Sequence, residues 1–414
     1  MKVLSLFDGI SCGMVALERA GIEVEKYYAY EIEPNAIEIS KKNYPQIEHC
    51  GDVMSANFSQ YKGIDLLIGG SPCTNWSCNK NHNAKAKKET KANEGIGWTL
   101  FMQFVRAVEE AEPKYFLYEN NHRIPDEIQS EITKILGVEP ILIDSALVSA
   151  QRRKRLYWTN IQNIEQPEDR GIFIKDVFIP DEKLVRTDKR ILESAIVTEN
   201  YVKYDLMNKG HYSEPYRLYY LDGKMKTLPR CRTETKCNVL LNREDLSTYK
   251  IVSPVEAERY QTLPDNYTEG IPKTRRFEVI GNGWTVDVIA HIFSYLKIAE
   301  EIEDKYMEVL EKHDWAVCGY TGDGRVELEK FSPAGEDFIM CVGVENLPAE
   351  VREYAAGFDI DEHIEMWIEA RRNGTNGVPS STRVLVKDAE DIDKMLQEIA
   401  AALSRAEEAS ECVT

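Results

Sequence analysis

The stretch KVLSLFDGISCG, residues 2–13, decides the fold class of this protein. Residues 2–7 form an apolar run of the length of one buried strand, the glycines of 9–13 indicate a tight turn, and an amphipathic helix is predicted directly after it. Similar apolar runs recur at 27–31, 64–68 and 115–118, separated by amphipathic segments. This alternation predicts an α/β, doubly wound fold built on a parallel sheet, with ligands at the carboxyl ends of its strands.

The α/β part is interrupted by a segment of different character. Residues 1–159 carry the strand and helix alternation, whereas residues 160–250 are irregular, with short β-like pieces typical of a small lobe. Regularity returns at 251–297, where Ser253 is expected to cap a helix. We therefore predict that 251–297 completes the first domain.

Beyond residue 297 the composition changes. Of the formal net charge of −19, residues 298–414 contribute 28 acidic against 11 basic side chains. A charged helical connector is predicted at 298–314 and a separate α+β domain at 315–414, with a strand at 338–344 and a last helix from Asp388. Such an acidic region disfavours contact with a polyanion, so a protein partner is the expected ligand of this domain. The nearly neutral first part remains free to present basic faces.

Cysteine usage and hydropathy exclude several classes of protein. The nine cysteines are scattered, and no C-x-x-C pair is present, so neither a disulfide framework nor a metal site is indicated. No apolar run approaches the roughly 18 residues of a membrane span, and the first residues lack a charged-then-apolar leader. We expect a cytoplasmic protein, without metal or membrane association.

One cysteine has sequence neighbours typical of a reactive residue. Cys73 follows a predicted strand on the loop Gly69-Gly70-Ser71-Pro72, in which the glycines permit close ligand approach and the proline fixes the turn. A lone cysteine is more often a small buried hydrophobe. A thiolate on such a loop is, however, a natural nucleophile for an electron-poor carbon.

Four short motifs together resemble a known family. Ser71-Pro72-Cys73, Glu119-Asn120-Asn121, Gln151-Arg152-Arg153-Lys154-Arg155 and Gly281-Asn282-Gly283 follow one another in the order of the motifs of DNA cytosine-5 methyltransferases. The opening Phe7-Asp8-Gly9-Ile10-Ser11-Cys12-Gly13 is similar to the cofactor loop of the animal de novo DNA methyltransferases. The resemblance covers about residues 1–297 and implies a Rossmann-like, S-adenosylmethionine-dependent methyltransferase sheet, with target recognition in 160–250.

The resemblance also implies roles for individual residues. Cys73 would add to C6 of a cytosine flipped out of duplex DNA, Glu119 would be protonated or share a proton with N3, and Arg153 would stabilise charge near the cysteine and O2. Arg155 occupies the second arginine place of the motif and is also expected to be catalytic. The cofactor-binding residues implied are Phe7, Asp8, Gly9, Gly13, Glu31, Asp52, Pro72, Asn282 and Trp284. The DNA-binding residues implied or proposed are Gln151, Lys85, Lys87, Lys88, Arg230 and Arg232.

Two departures from the family pattern and two alternatives stay open. Asn121 stands where valine is usual, and Trp284 replaces a small residue common in bacterial members, which would narrow the methionine end of the cofactor site. The first alternative is a cytosine-5 enzyme acting on tRNA, whose nucleophile loop resembles Pro-Pro-Cys instead of Ser-Pro-Cys. The second is a DNA-binding protein without turnover, which predicts loss of Cys73, Glu119 or an arginine. All of these are present.

Overall fold

The computed structural model describes most of the first 296 residues and a few strands beyond them. The described residues are 1–72, 76, 94–180, 184–186, 193, 195–203, 217–230 and 237–296, the strands at 316–320, 325–331, 337–344 and 384–386, and residue 397. The chain divides into two compact units, Met1–Leu296 and Lys297–Thr414. Among the described residues, no helix has both the length and the apolar character to cross a membrane.

A seven-stranded sheet forms the centre of the first unit. Its strands are β1 (Lys2–Leu6), β2 (Lys26–Tyr30), β3 (Glu48–Gly51), β4 (Leu66–Gly69), β5 (Tyr115–Asn121), β6 (Ile141–Asp144) and β8 (Lys154–Thr159), in the order β3-β2-β1-β4-β5-β8-β6. The strand order reverses between β1 and β4, and the carboxyl edge at such a reversal is where doubly wound sheets bind ligands. The predicted α/β class is confirmed.

One strand differs from the parallel arrangement that the sequence predicts. Strand β8 pairs antiparallel with both β5 and β6. Only residues 145–153 separate β6 from β8, and a parallel crossover needs a connection of a dozen or more residues. The chain therefore has to turn back on itself at this point.

The helices of the first unit pack on both faces of this sheet or in a separate cluster with the lobe. They are α1 (Cys12–Ala20), α2 (Pro34–Asn43), α3 (Gly95–Ala111), α4 (Asp126–Leu136), α5 (Ile174–Val177), α6 (Pro254–Tyr260), α7 (Lys273–Asn282) and α8 (286–296). Val3 packs in a core cluster with residues of α1, α2 and α8, and Leu4 in a second cluster with residues of α3 and α4. Adjacent residues of one strand thus face opposite cores, as the period of a strand requires.

The lobe contains a second sheet that the sequence pattern did not predict as such. Its strands are β10 (Ile196–Val197), β11 (Tyr201–Lys203), β12 (Arg217–Tyr220), β14 (Asn238–Leu240), β15 (Thr248–Ile251) and β9 (Leu184–Arg186), in that spatial order. Strands of two to four residues are too short to show an alternating pattern. A further pair, β13 (Met225–Lys226) with β7 (Gln151–Arg152), links the lobe to the turn before β8.

The return segment begins as predicted. The Ser253 hydroxyl accepts a hydrogen bond from the main-chain N–H of Glu256, and the Glu256 carboxylate accepts one from that of Ser253, which completes a capping box at the start of α6. The predicted helix near the end of this segment is α8.

The second unit contains a four-stranded sheet. It consists of β16 (Ala316–Tyr320), β17 (Arg325–Phe331), β18 (Asp337–Val344) and β19 (Val384–Val386) in chain order. The strand expected at 338–344 is confirmed. The predicted connector and the opening of the predicted last helix lie outside the described residues.

Candidate active site

The loop between β1 and α1 has an unusual backbone. Phe7, Gly9 and Ser11 all adopt left-handed conformations, with φ of 58°, 61° and 59°. Such φ values cost a non-glycine residue roughly 1–2 kcal/mol each, and they persist where surrounding contacts enforce them. Asp8, the residue after Phe7, makes the contacts that hold the loop in this backbone conformation.

The Asp8 carboxylate holds the loop together from inside. Its Oδ1 accepts hydrogen bonds from Ser5 Oγ at 2.6 Å and Tyr27 OH at 2.7 Å, and its Oδ2 accepts one from Ser11 Oγ at 2.6 Å. Burial raises the pKa of this carboxyl, and the three hydroxyl donors oppose that shift. Asp8 therefore shapes the loop that is expected to bind the cofactor.

Glu31, directly after β2, is held with its carboxylate next to this loop. Gly9 N–H donates to Oε2 at 2.8 Å, while Ile32 and Glu33 donate to Oε1 at 2.7 and 2.8 Å. Oε1 accepts two of these bonds and Oε2 only one, so Oε2 keeps lone-pair capacity for a further donor. The neighbouring Ile32 side chain is 68% exposed, so an apolar surface adjoins the acceptors. A ligand with hydroxyls beside a flat apolar group fits this combination.

Asp52 lies at the end of β3, beyond Glu31 on the same sheet edge. Its Oδ1 accepts a hydrogen bond from the main-chain N–H of Met54 and caps a short turn of helix. Because β3, β2 and β1 are parallel neighbours, Asp52, Glu31 and the 7–11 loop line one edge. The geometry brings these predicted cofactor residues together.

Gly13 and the return segment close the other side of the loop. A Cβ on Gly13 would clash with Ile68 Cδ1 and lie 2.8 Å from Tyr27 OH, so a larger residue there would force these side chains to move. Tyr267 OH donates to the Ile10 carbonyl at 2.7 Å, which ties the return segment to the loop. Asn282 is exposed at the end of α7, and the partly buried Trp284 follows it.

The segment leading into the predicted nucleophile is anchored on β5. Cys73 itself lies outside the described residues. Ser71 is buried and its Oγ lies 2.6 Å from Tyr118 OH, while Asn120 Nδ2 donates to the Ser71 carbonyl at 3.4 Å. The exposed Pro72 follows. The sequence thus positions the start of the cysteine loop beside Asn120, the residue after Glu119.

The Glu119 carboxylate is oriented by two donors. Arg155 Nε lies 2.8 Å from Oε1, and Trp284 Nε1 donates to Oε2 at 3.1 Å. The Arg155 and Glu119 side chains are 11% and 12% exposed. Antiparallel pairing of β5 with β8 places the arginine diagonally across from the carboxylate. Two of the four predicted catalytic residues therefore form an ion pair that is largely shielded from solvent.

Arg153 has different partners from Arg155. It is 4% exposed, and its guanidinium donates to the main-chain carbonyls of Gly281 at 3.2 Å and Gly283 at 2.9 Å. These contacts fasten the return segment to the turn before β8. Arg153 is thus tied to the return segment, and Arg155 is the arginine that contacts Glu119.

Gln151 is a correction to the predicted DNA-binding set. The side chain is fully buried; its Nε2 donates to the Tyr260 carbonyl and to Gln261 Oε1, each at 3.1 Å, and its Oε1 accepts from Leu228 N–H at 2.6 Å. A buried amide with both ends satisfied has no group left for a DNA contact. Sequence reasoning had no signal that this polar side chain would lie inside.

Exposed cations nevertheless surround the site. Arg230 is exposed in the lobe, whereas Arg232, Lys85, Lys87 and Lys88 lie outside the described residues. Two further exposed cations are candidates: Arg123, two residues after Asn121, and Lys154, which the sequence analysis placed within a motif without assigning it a role. The positive charge of Arg123, so close in sequence to Glu119-Asn120-Asn121, was the signal that would have identified it as a candidate.

His122 joins these two cations. Its Nδ1 lies 3.0 Å from the Lys154 carbonyl, and Arg123 Nε lies 3.4 Å from its Nε2. Burial lowers the pKa of His122, and the charges of Arg123, Arg155 and Lys154 lower it further, while the bond to the Lys154 carbonyl acts in the opposite direction. The imidazole is therefore neutral at neutral pH.

Cys12 is close to the cofactor loop but is chemically quiet. Burial raises the pKa of its thiol to about 12, so it is protonated at neutral pH and is not a nucleophile. Within the described part of the chain, no three His, Cys, Asp or Glu side chains are grouped to hold a metal ion.

A family model and several known proteins match most of this chain. Residues 1–297 match the family described as C-5 cytosine-specific DNA methylase. The Type II methyltransferase M1.ScrFI of Lactococcus lactis subsp. cremoris is 26% identical over 333 residues, covering 75% of this chain and 79% of the relative. The Type II methyltransferase M.NlaX of Neisseria lactamica is 24% identical over 325 residues, covering 72% of this chain and 96% of the relative.

A solved structure shares the fold. The Entamoeba histolytica methyltransferase EhMeth superposes with a TM-score of 0.54 at 17% identity, over 72% of this chain and 98% of that one. The family match covers well over half of the sequence. The chain therefore belongs to the C-5 cytosine-specific DNA methylase family and is an S-adenosylmethionine-dependent cytosine methyltransferase.

Proposed function

We propose that this enzyme methylates C5 of a flipped-out cytosine in duplex DNA through a transient bond between Cys73 and C6. The observation that carries the proposal is the clamped carboxylate of Glu119, one residue before the side chain that anchors Ser71. An oriented carboxylate next to the entrance of a cysteine loop supplies the two groups that activation of the pyrimidine requires.

The chemistry explains why both groups are needed. C5 of cytosine is a poor nucleophile, and addition of a thiolate at C6 moves electron density to C5, N3 and O2. Glu119, in its protonated form, donates a hydrogen bond to N3 and shares its proton with N3 as charge builds up there, and Arg155, which contacts that side chain, stabilises charge near O2. C5 then gains the methyl group, a base removes the C5 proton, and the C6–S bond breaks to release 5-methylcytosine and the thiolate.

Residues at the carboxyl edge of the sheet would hold the cofactor. S-adenosylmethionine supplies an electrophilic methyl group when bound. Glu31 presents Oε2 as an oriented acceptor for a ribose hydroxyl, with Ile32 as the adjoining apolar surface and Asp52 farther along the edge. Phe7, Gly9, Gly13, Pro72, Asn282 and Trp284 remain proposed cofactor contacts. Asp8 acts through the shape of the loop.

DNA binding is assigned to exposed cations. Arg230, Arg123 and Lys154 join Arg232, Lys85, Lys87 and Lys88 in the proposed set of phosphate or base contacts, and Gln151 leaves it. Phosphate contacts supply affinity and register, whereas the target sequence is read by residues of the lobe. We place target recognition in residues 160–250 and the reaction in the cytoplasm of a bacterial or phage-infected cell, in keeping with a role in restriction and modification.

The acidic region is proposed to bind a protein. Residues 298–414 carry 28 acidic and 11 basic side chains, so they would repel a phosphate backbone. A chain ending near Lys312 should retain methyl transfer within about threefold of the full chain. A soluble, folded truncation without activity would contradict this assignment.

The proposed function is tested by substrate comparison. Methyl transfer from S-adenosylmethionine to mixed-sequence duplex DNA and to tRNA is measured side by side, followed by bisulfite sequencing of the DNA. We expect 5-methylcytosine in DNA within a defined sequence context. Transfer to tRNA alone would establish the RNA alternative, and DNA binding without transfer would indicate a protein that has lost turnover.

A further inference from the structure

Trp284 reaches from the cofactor loop to the catalytic carboxylate. Its indole Nε1 donates to Glu119 Oε2 at 3.1 Å. The far edge of the same ring, Cζ3, lies 3.7 Å from the position that a Cβ on Gly13 would occupy. One rigid side chain therefore contacts both the first turn of α1 and the group that is proposed to hold N3 of the base.

Hydrogen bonds hold the main chain at Gly283 and Trp284 in place. The carbonyl of Gly283 accepts hydrogen bonds from Arg153 at 2.9 Å and from Gln261 at 3.1 Å. The main-chain N–H of Trp284 donates to the buried thiol of Cys12. The ring position is thus set by buried contacts with the helix that begins at the cofactor loop.

The carboxylate has little freedom to leave the indole. Its other oxygen is 2.8 Å from Arg155 Nε, and a Cβ on Gly70 would lie 2.9 Å from Oε2 and 3.3 Å from Trp284 Nε1. Two donors on opposite oxygens fix the plane of a carboxylate, and charge-assisted hydrogen bonds are the stronger kind. Gly70 leaves the space that this arrangement needs.

We propose that Trp284 is a positioning residue that couples the cofactor site to base activation by holding Glu119 in its working orientation. The inference rests on the proposed function and deepens it, because the departure from the small residue common in bacterial members then has a catalytic purpose. It also predicts that the indole N–H matters separately from the apolar ring. The ring serves the cofactor side, and the N–H serves Glu119.

The test separates these two contributions. Trp284→Phe keeps an aromatic ring but removes the donor, and benzothienylalanine installed at position 284 keeps the bicyclic shape and also removes the donor. Base activation is measured as loss of tritium from C5 of cytosine in duplex DNA, a reaction that needs the thiol addition but no methyl transfer. It is run with and without S-adenosylhomocysteine, alongside kcat for methyl transfer and the Kd of S-adenosylmethionine.

For both variants we expect tritium release and kcat to fall together by about tenfold or more, with the cofactor Kd within about threefold of wild type. S-adenosylhomocysteine should change the exchange rate of the wild type and leave that of the variants unaltered. Trp284→Ala should weaken cofactor binding in addition. Unchanged tritium release in a folded donor-free variant, or a rise in cofactor Kd as the sole effect, would overturn the inference. Inactive wild-type enzyme on DNA would instead overturn the proposed function.

Discussion

Arg155 Nε lies 2.8 Å from Glu119 Oε1, and both side chains are nearly buried. This pair gives the carboxylate a fixed orientation in the absence of substrate. Glu119→Gln keeps the shape of the side chain but removes the charge and the proton-transfer group. We expect methyl transfer to fall by about a hundredfold or more, because general acid–base groups contribute roughly 10²–10⁴ in rate.

The matched control for this variant is Glu131→Gln, in a surface pair with Lys134 on α4. Its methyl transfer should equal that of the wild type, and DNA affinity should be unchanged in both variants. Single-turnover methyl transfer with duplex DNA gives the rates. A Glu119→Gln enzyme with wild-type turnover would contradict the role given to the carboxylate.

Gln151 is expected to act on stability and not on DNA affinity. Gln151→Met removes three buried hydrogen bonds and leaves Leu228 N–H and the Tyr260 carbonyl without this partner. The free energy of unfolding should fall by about 1–3 kcal/mol, as measured in urea. The dependence of DNA affinity on salt should stay the same.

Arg230→Ala is expected to change DNA affinity and to leave stability unchanged. Arg230 is exposed, so its loss should leave the unfolding free energy within about 0.5 kcal/mol of wild type. If it contacts a phosphate, the slope of log affinity against log salt should decrease by about one. A reversed result, in which Gln151→Met alters the salt slope, would restore the sequence-based assignment.

A buried ion pair joins the lobe to α6. The side chains of Lys250 and Glu256 are 0% and 1% exposed, and Lys250 Nζ lies 2.6 Å from Glu256 Oε1. The Ile179 main-chain N–H donates a hydrogen bond to Glu256, and its carbonyl accepts one from Lys250. Lys250→Met leaves the carboxylate buried without its cation, which costs about 3–5 kcal/mol in such pairs. Thermal and urea unfolding measure this loss.

The pair of Lys62 with Glu112 is a suitable comparison, since its side chains are 66% and 58% exposed. Lys62→Met should change the unfolding free energy by less than about 1 kcal/mol. Equal effects of the two lysine substitutions would show that burial of the first pair does not matter to stability.

His122 predicts a pH dependence of stability. Its pKa is lowered from 6.5 in the folded protein, mainly by burial and then by the nearby charges of Arg123, Arg155 and Lys154. The unfolded chain therefore binds a proton more readily, and the stabilisation present above pH 6.5 is lost as the pH falls below that value. His122→Gln should remove this contribution.

The measurement compares the two proteins at about pH 7.5 and about pH 5.5 by urea unfolding. The wild type should lose more stability between these pH values than His122→Gln, because the other titrating groups are common to both. An identical loss in the two proteins would contradict the assignment of the shift to His122.

The sequence was sufficient for the elements that repeat regularly and insufficient for the contacts between distant segments. The strand at residues 2–6 and the capping box at Ser253 follow from local pattern. The burial of Gln151 does not, because it depends on Tyr260 and Gln261, more than a hundred residues away. The same holds for Arg153, whose motif resembles a catalytic one but whose guanidinium binds the return segment.

The reversed strand β8 and the lobe illustrate two further limits. Strand direction is set by the length of a connection, and apolar periodicity carries no such information. In the lobe, β10 has two residues and β12 four, so neither is long enough for an alternating pattern. By contrast, the position of the Glu31 carboxylate at the edge of the sheet was predictable, since it directly follows the buried strand β2.

Mapping of a trapped DNA adduct tests directly whether Cys73 forms the proposed bond to C6 of cytosine. A long duplex with every cytosine fluorinated at C5 removes dependence on the recognition sequence, and fluorine cannot leave as a cation, so the sulfur stays attached after methyl transfer. This DNA and S-adenosylmethionine are incubated with the wild type, with Cys73→Ser and with Cys50→Ser, which serves as the control for another thiol. Each protein is then denatured and digested for mass spectrometry. We expect a stable adduct on the peptide containing residue 73 in wild type and Cys50→Ser, and none in Cys73→Ser. An adduct that persists in Cys73→Ser, or a wild type that methylates ordinary duplex DNA yet forms none, would contradict it.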